Sequence, residues 1–259
     1  MAPDLVVQIV NFNTEEHVAR LLPGLLDELG RTPGTSEVHV LENGSDDDLT
    51  ALRARWEPRV RFHDSVENRG FGGGHDELAR RTDSRAILCV NPDVEVDRPG
   101  VVAGLLRHLD DPSVAAAGPL LRTADGTPQR WDHGELRGVR ARVANGAGHA
   151  HWRPRETPLD VAWAAGAFLL LRRDAFDAVG GFDERFFLYK EEEDLCLQLR
   201  RAGGRVVYDP TVSVGHEGGV VASREEHMAA SVAAYAAKNL PGRRRALLEL
   251  LYTHVTRRI

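Results

Sequence analysis

Four carboxylates stand in a row at Glu191-Glu192-Glu193-Asp194, and such a run supports two kinds of chemistry. Acids in the first turn of a helix complement its dipole and form a solvated face. Crowded against an apolar surface, burial and mutual repulsion instead raise one of them towards a general base. The run follows Phe182, Phe186, Phe187, Leu188 and Tyr189, so this turn emerges from an apolar stretch. A further carboxylate, Asp93, closes Asn91-Pro92-Asp93 behind the apolar segment Ile87–Val90. Beyond the carboxyl end of a parallel strand it is placed to hold Mg²⁺ or Mn²⁺ against a diphosphate, or simply to turn the chain. His216, in Val214-Gly215-His216-Glu217-Gly218-Gly219, reads as a structural histidine or as a ligand. Asn68-Arg69-Gly70-Phe71-Gly72-Gly73-Gly74-His75 opens a helix, where free N–H groups meet anions, or else is a glycine turn for tight packing. It departs from the dinucleotide fingerprint, since His75 takes the sixth place and the segment follows a third strand. No G-x-x-x-x-G-K-[ST] occurs, which excludes an NTP-hydrolysing P-loop.

The elements that must position these groups alternate. Leu5–Val10 is a continuous apolar run, as a strand covered on both faces requires. Asn13-Thr14-Glu15-Glu16 then caps a helix with Val18, Leu21, Leu22, Leu25, Leu26 and Leu29 on one stripe, kinked or broken at Pro23. Strands over Val38–Leu41, Val60–Phe62 and Ala86–Val90 alternate with helices over Leu49–Trp56, Gly73–Arg81 and Val101–Leu109. Val114–Leu121 and Val161–Leu171 each read as one strand, separated by a Gly-, Pro-, His- and Arg-rich loop, Ala124–Pro158. A helix over Arg172–Val179, the acidic helix ending at Gly203-Gly204, a strand over Val206–Tyr208 and amphipathic helices over Arg224–Lys238 and Arg243–Arg258 follow. The expected fold is α/β, an open, Rossmann-like, mostly parallel central sheet with helices on both faces and a C-terminal helical tail.

Composition narrows the partners. The 259 residues carry 33 Lys+Arg against 39 Asp+Glu, a net charge of −6, which argues against a nucleic-acid partner. The basic residues are almost all arginine, with Lys190 and Lys238 the two lysines. Cys89 and Cys196 lie in apolar segments without metal spacing, as buried reduced thiols of a cytoplasmic protein do. No leader pattern and no transmembrane segment is expected, since the longest apolar run is about half of the roughly 20 residues a span needs. Arg243, Arg244, Arg245, Arg257 and Arg258 leave packing, homodimerisation or peripheral membrane contact open for the last helices.

The order of the segments is more specific than any one of them. Val7-Gln8-Ile9-Val10-Asn11-Phe12-Asn13, Leu41-Glu42-Asn43-Gly44-Ser45-Asp46-Asp47, Glu67 to Gly74, Leu88 to Asp93, Ala165-Gly166-Ala167-Phe168-Leu169, Gly180 to Phe187 and Glu191 to Leu197 follow one another. Over roughly residues 5 to 220 this series resembles the family 2 glycosyltransferases, especially their rhamnosyltransferase-like branch. The resemblance implies a GT-A fold over residues 1–222, with a nucleotide-binding half (1–95), an acceptor-binding half (96–222) and a tail (223–259). It implies an inverting, metal-dependent transfer from a UDP- or dTDP-linked sugar to a saccharide or small-molecule acceptor. Asn11, Phe12, Asn13, Glu42, Asn68, Gly70, Phe71, Gly74, Asn91 and Asp93 then belong to the donor, and Trp163, Gly166 and Asp183 to the acceptor. Asp93 and His216 hold the divalent metal, Mn²⁺ or Mg²⁺, with the imidazole tilting the choice to Mn²⁺. Glu192 falls at the catalytic base, with Glu191 and Asp194 as alternates. Three departures from the pattern are Glu42 for Asp, His75 for Asn and Glu192 for Asp. A sugar nucleotidyltransferase and a catalytically silent sugar-nucleotide or glycan binder are the competing readings. The former wants a Gly- and Lys/Arg-rich loop after the first strand, which Asn11–Glu16 lacks.

Overall fold

In Ala86–Val90 every residue is buried: Ala86, Leu88 and Val90 join one apolar cluster, and Ile87 and Cys89 another. A strand that is apolar on both faces demands a layer on each side, and the chain supplies both. The computed structural model describes residues 2–136, 152–218, 224–240 and 242; part of the loop expected over Ala124–Pro158 and the helix expected over Arg243–Arg258 lie outside them. The first half runs β1 (Leu5–Asn11), α1 (Glu15–Arg31), β2 (Ser36–Asn43), α2 (Thr50–Trp56), β3 (Val60–Ser65), α3 (Gly70–Arg81), β4 (Ala86–Val90) and β5 (Val94–Glu95). It continues with α4 (Val101–His108), β6 (Val114–Arg122), β7 (His133–Glu135), β8 (Leu159–Ala164) and β9 (Phe168–Arg172). The chain then runs α5 (Arg173–Val179), α6 (Glu191–Arg201), β10 (Arg205–His216) and α7 (Arg224–Asn239).

The strands form one sheet in the order β3-β2-β1-β4-β9-β6-β10-β8-β7, with β5 paired to β10. It is parallel from β3 to β4 and again between β6 and β10, and antiparallel where β9, β8, β7 and β5 join. One face buries Val18, Leu22 and Leu25 of α1, Leu52 of α2 and Val102 and Leu105 of α4. The other buries Ala79 of α3, Phe176 of α5 and Leu195, Cys196 and Leu199 of α6. Both cysteines are free and buried. Among the described residues no helix is long and apolar enough to cross a membrane.

Four expectations need correction. α1 is not broken at Pro23 but runs on as one helix, because burying Val18, Leu21, Leu22, Leu25 and Leu29 outweighs the roughly 3 kcal/mol that an interior proline costs. Val161–Leu171 is not one strand but β8 and β9, parted at Ala165-Gly166-Ala167 and paired to different neighbours. α3 begins at Gly70, not Gly73. The last strand extends well past Tyr208 to His216. The Ala124–Pro158 stretch also contains β7, which pairs with β8.

One buried acid ties α3 to the segment between α5 and α6. Asp76 of α3 accepts the Phe182 amide at 3.0 Å, and burial pushes its pKa up to about 7 against that hydrogen bond. The folded state therefore favours the protonated form: this stability is fully present below about pH 4 and is lost as pH rises through about 7. Asp76→Asn keeps an acceptor without the charge. It should raise stability at pH 8 by about 1–4 kcal/mol and flatten the pH 4–8 profile, which denaturant unfolding at each pH measures.

Candidate active site

β4 delivers its carboxyl end to Asn91-Pro92-Asp93, and β5 turns straight into an antiparallel pairing that sets Val94 opposite His216. That register brings Asp93 and His216 together: His216 Nε2 lies 3.5 Å from Asp93 Oδ1. Asp93 also accepts the Gly218 amide through Oδ2 at 2.9 Å, while its carbonyl accepts the Glu217 amide. Burial pushes the Asp93 carboxyl up, but the His216 ring and the Gly218 amide outweigh it and hold the pKa below its ordinary value. His216 Nε2 is buried without a hydrogen-bond partner, while Nδ1 meets Gln129 Oε1 at 2.7 Å.

The acidic helix enters from the opposite end of the sequence. Tyr189 and Lys190, at φ +71° and +72°, turn the chain so that α6 starts abruptly beneath them. Glu191 is buried, and burial together with the Glu192 charge drives its pKa well above the carboxylate range. Glu192 is pushed up to about 7, first by burial and then by the charge of Glu193. Oε2 of each is buried and unpartnered. Two crowded carboxyls of this kind cannot both ionise cheaply, so the deeper Glu191 keeps its proton and Glu192 is the one that titrates near neutrality. Glu193 is committed to Lys190 Nζ at 2.6 Å.

Both acids, the Asp93–His216 pair and Asn68, Gly70 and Phe71 from the start of the Gly-rich segment line one cavity of about 1170 Å³. Of the residues expected at a site, Phe12, Asn68, Gly70, Phe71, Asn91, Asp93, Trp163, Gly166, Glu191, Glu192 and His216 meet there. Gly166 sits between Phe71 and Glu192: a Cβ on it would lie 2.9 Å from the Phe71 ring and 3.5 Å from Glu192 Cβ. Among the described residues no three His, Cys, Asp or Glu side chains cluster as an all-protein metal site would.

Six expected residues lie elsewhere. Asn11 is buried beneath the loop, donating from Nδ2 to Glu42 and to Asp47. Glu42 is spent internally, since its other oxygen accepts the Ser45 amide and hydroxyl at 2.7 and 2.6 Å. Asn13 is exposed at φ +55°. Gly74 packs on Val10, where a Cβ would approach to 2.7 Å. Asp194 and Asp183 share Lys238 Nζ, each at 2.6 Å, and Asp194 also takes the Asn239 amide. A buried carboxylate held by a lysine and an amide is a structural anchor, so Asp194 does not face the cavity.

Asn43 and Phe187, present in the ordered segments without a site role of their own, also line the cavity, as do Gln129 and, from α7, His227, Met228 and Val232, which no motif contains. Asn43 braces the Gly-rich turn by donating to Asn68 Oδ1 and the Gly70 carbonyl and accepting the Arg69 amide. α7 is latched on by Ser231, whose hydroxyl donates to the Leu188 carbonyl, and by Lys238. Its signal was the lysine pair, since both lysines of this arginine-rich chain contact the acidic run.

The two halves of the cavity touch at Gly70. Phe71 N donates to the Phe187 carbonyl at 3.0 Å, Gly70 has φ +71°, and a Cβ there would stand 2.1 Å from that carbonyl oxygen. Gly70→Ala should therefore cost both left-handed strain and the contact, about 2–4 kcal/mol and a Tm fall on the order of 5–10 °C. Gly180→Ala is the control, since its φ of +87° carries the strain but nothing lies within 4 Å of a Cβ. Equal melting shifts in the two variants would show that the Phe187 contact contributes nothing.

A sheet of this order, with a cavity at the carboxyl ends of its parallel strands and a paired carboxylate and imidazole at the β4 exit, has the GT-A glycosyltransferase fold. The chain belongs to glycosyl transferase family 2, whose profile matches residues 6–180, and it is a glycosyltransferase of the rhamnosyltransferase-like branch. It is 31% identical over 239 residues to the N-acetylglucosaminyl-diphospho-decaprenol L-rhamnosyltransferase of Mycobacterium tuberculosis, covering 83% of this chain and 76% of that one. To the low-salt glycan biosynthesis hexosyltransferase Agl10 of Haloferax volcanii it is 25% identical, covering 78% and 63%. The mannosyltransferase PcManGT of Pyrobaculum calidifontis, solved with GDP-Man and Mn²⁺, shares the fold at TM-score 0.62 and 15% identity, over 96% of this chain and 69% of that one. S. aureus TarS 1–349, solved with UDP, shares it at TM-score 0.64 and 14% identity, over 99% and 72%.

Proposed function

We propose that this glycosyltransferase inverts the anomeric centre of a UDP- or dTDP-linked sugar as it passes it to a saccharide or small-molecule acceptor. The observation that carries the reading is the pairing, within one cavity, of a carboxylate poised near neutrality with a carboxylate–imidazole pair at a strand exit. Glu192 takes the proton from the attacking acceptor hydroxyl, its raised pKa matching the operating pH. Phe12, Asn68, Gly70, Phe71 and Asn91 hold the donor, and Trp163 and Gly166 flank the acceptor. Glu42, turned inwards on Ser45 and Asn11, supports the donor loop rather than reading the base itself.

Asp93 and His216 fit a divalent cation, because an unpartnered buried Nε2 faces a carboxylate oxygen at 3.5 Å. Bound there, Mn²⁺ or Mg²⁺ would neutralise the charge of the leaving nucleoside diphosphate, and the imidazole favours Mn²⁺. Residues 1–95 form the donor half and 96–222 the acceptor half, with the 223–259 tail lending His227, Met228 and Val232 to the wall. The mycobacterial relative is named for a sugar acceptor carried on diphospho-decaprenol. A wall of Trp131, Phe187, Met228 and Val232 beside Arg130 suits an acceptor of that kind, a sugar on an anionic group with an apolar tail. Thermal shifts with UDP, dTDP and GDP, each with and without Mn²⁺, test the reading: a Mn²⁺-dependent rise with UDP or dTDP supports it, and no shift with any nucleotide overturns it.

A further inference from the structure

Gln129 comes from an unexpected quarter, the stretch between β6 and β7 assigned by sequence to a loop. Thr123 N donates to the Thr127 carbonyl at 3.0 Å, Asp125 Oδ1 accepts the Thr127 amide, and Gln129 N donates back to the Leu121 carbonyl at 2.8 Å. This hairpin returns the chain to β6 and aims the Gln129 amide at the end of β10. There its Oε1 meets His216 Nδ1 at 2.7 Å, while its Nε2 lies over Gly218, 3.0 Å from where a Cβ would be.

The donor assignment has a chemical consequence. An amide oxygen only accepts, so Nδ1 carries the proton and, in a neutral imidazole, Nε2 carries the lone pair. That Nε2 is buried, has no hydrogen-bond partner and faces Asp93 Oδ1 at 3.5 Å. In that neutral form the Nε2 lone pair and the carboxylate oxygen repel one another, and a cation between them, a metal ion or a second ring proton, makes the contact attractive. We propose that Gln129 is a positioning residue that fixes His216 in the Nδ1–H tautomer and so presents Nε2, beside Asp93, to a divalent cation. The inference rests on the reading above that a cation binds at this pair. It adds that the acceptor-side hairpin, rather than the donor half, sets the geometry of the imidazole ligand. Arg130 and Trp131, the next two residues, line the same cavity, so the hairpin serves both ends of the reaction.

The test is Mn²⁺ titration of the full, metal-free chain, followed by electron paramagnetic resonance without any sugar nucleotide, on wild type and on Gln129→Leu, Gln129→Glu, His216→Ala and Asp93→Asn. Loss of a hydrogen bond behind a metal ligand weakens binding by about 10–100-fold, which is the effect expected of Gln129→Leu. Gln129→Glu, which still accepts from Nδ1, should restore affinity to near wild type. Wild-type affinity in Gln129→Leu, with loss in His216→Ala and Asp93→Asn, overturns the role of Gln129 and leaves the metal site standing. Absence of Mn²⁺ binding in wild type overturns both. Nitrogen-15 NMR of the histidines in the metal-free wild type gives a readout independent of any variant: a His216 ring protonated at Nε2 rather than Nδ1 sinks the inference.

Discussion

Replacing Glu192 by glutamine is expected to lower kcat by about 10²–10⁴-fold and to leave nucleotide affinity within about twofold of wild type. The change is isosteric, so the α6 start and the Gly166 contact survive, and what is lost is the ability to accept a proton. Position and electrostatics both select this carboxylate. Glu191 is buried deeper and driven further up, Glu193 is bound by Lys190, and Asp194 is bound by Lys238. With its pKa pushed up to about 7 by burial and by Glu193, a Glu192 acting as the proposed base predicts that kcat/KM falls tenfold per pH unit below about 7 and levels off above it. Glu192→Asp, with one methylene less reach, should fall between glutamine and wild type. A glutamine variant with near wild-type turnover, measured by acceptor-dependent nucleoside diphosphate release, would remove Glu192 from the chemistry. A pH profile without a break near 7 would do the same.

The second large effect is expected at Asp93. Asp93→Asn should abolish the Mn²⁺ dependence of nucleotide binding and cut affinity in the presence of Mn²⁺ by at least about tenfold, the order seen when even outer partners of a metal site are lost. Asparagine can still accept the Gly218 amide, so the loop after β10 keeps its tie while the charge disappears. Asp93→Ala removes both, and any excess loss over the asparagine variant measures that tie alone. Isothermal titration with UDP and dTDP, with and without metal, decides it. Equal wild-type affinity in both conditions would reduce Asn91-Pro92-Asp93 to a turn.

Local chemistry was readable in the residues, and long-range partnership was not. Asp93 and the acidic run at Glu191–Asp194 were legible because one follows the end of an apolar strand and the other opens a helix, while Phe71, Gly166 and the choice of Glu192 within the run came from the ordered family resemblance. The helix start at Gly70 was misplaced because the reason for it is the Phe187 carbonyl, more than a hundred residues away. β8 and β9 merged into one segment because alanines flank Gly166 and nothing in an apolar run reveals a change of pairing partner. Asp183 and Asp194 look like site carboxylates until Lys238 is brought back across them. Gln129 lies in a stretch without periodicity, and only the hairpin that folds it onto His216 gives it meaning.

The hydrogen bond from Phe71 to the Phe187 carbonyl, closed over a glycine that has no room for a side chain, bears on how such enzymes are recombined. Exchanging the segment around residue 187 with that of a relative, in search of a new specificity, moves one lip of this seam without the other. Grafts that carry the Gly70-Phe71 turn along with that segment keep the seam matched. Those that cut between them inherit a mismatch at the start of α3, and their failures would be misread as a change in sugar preference.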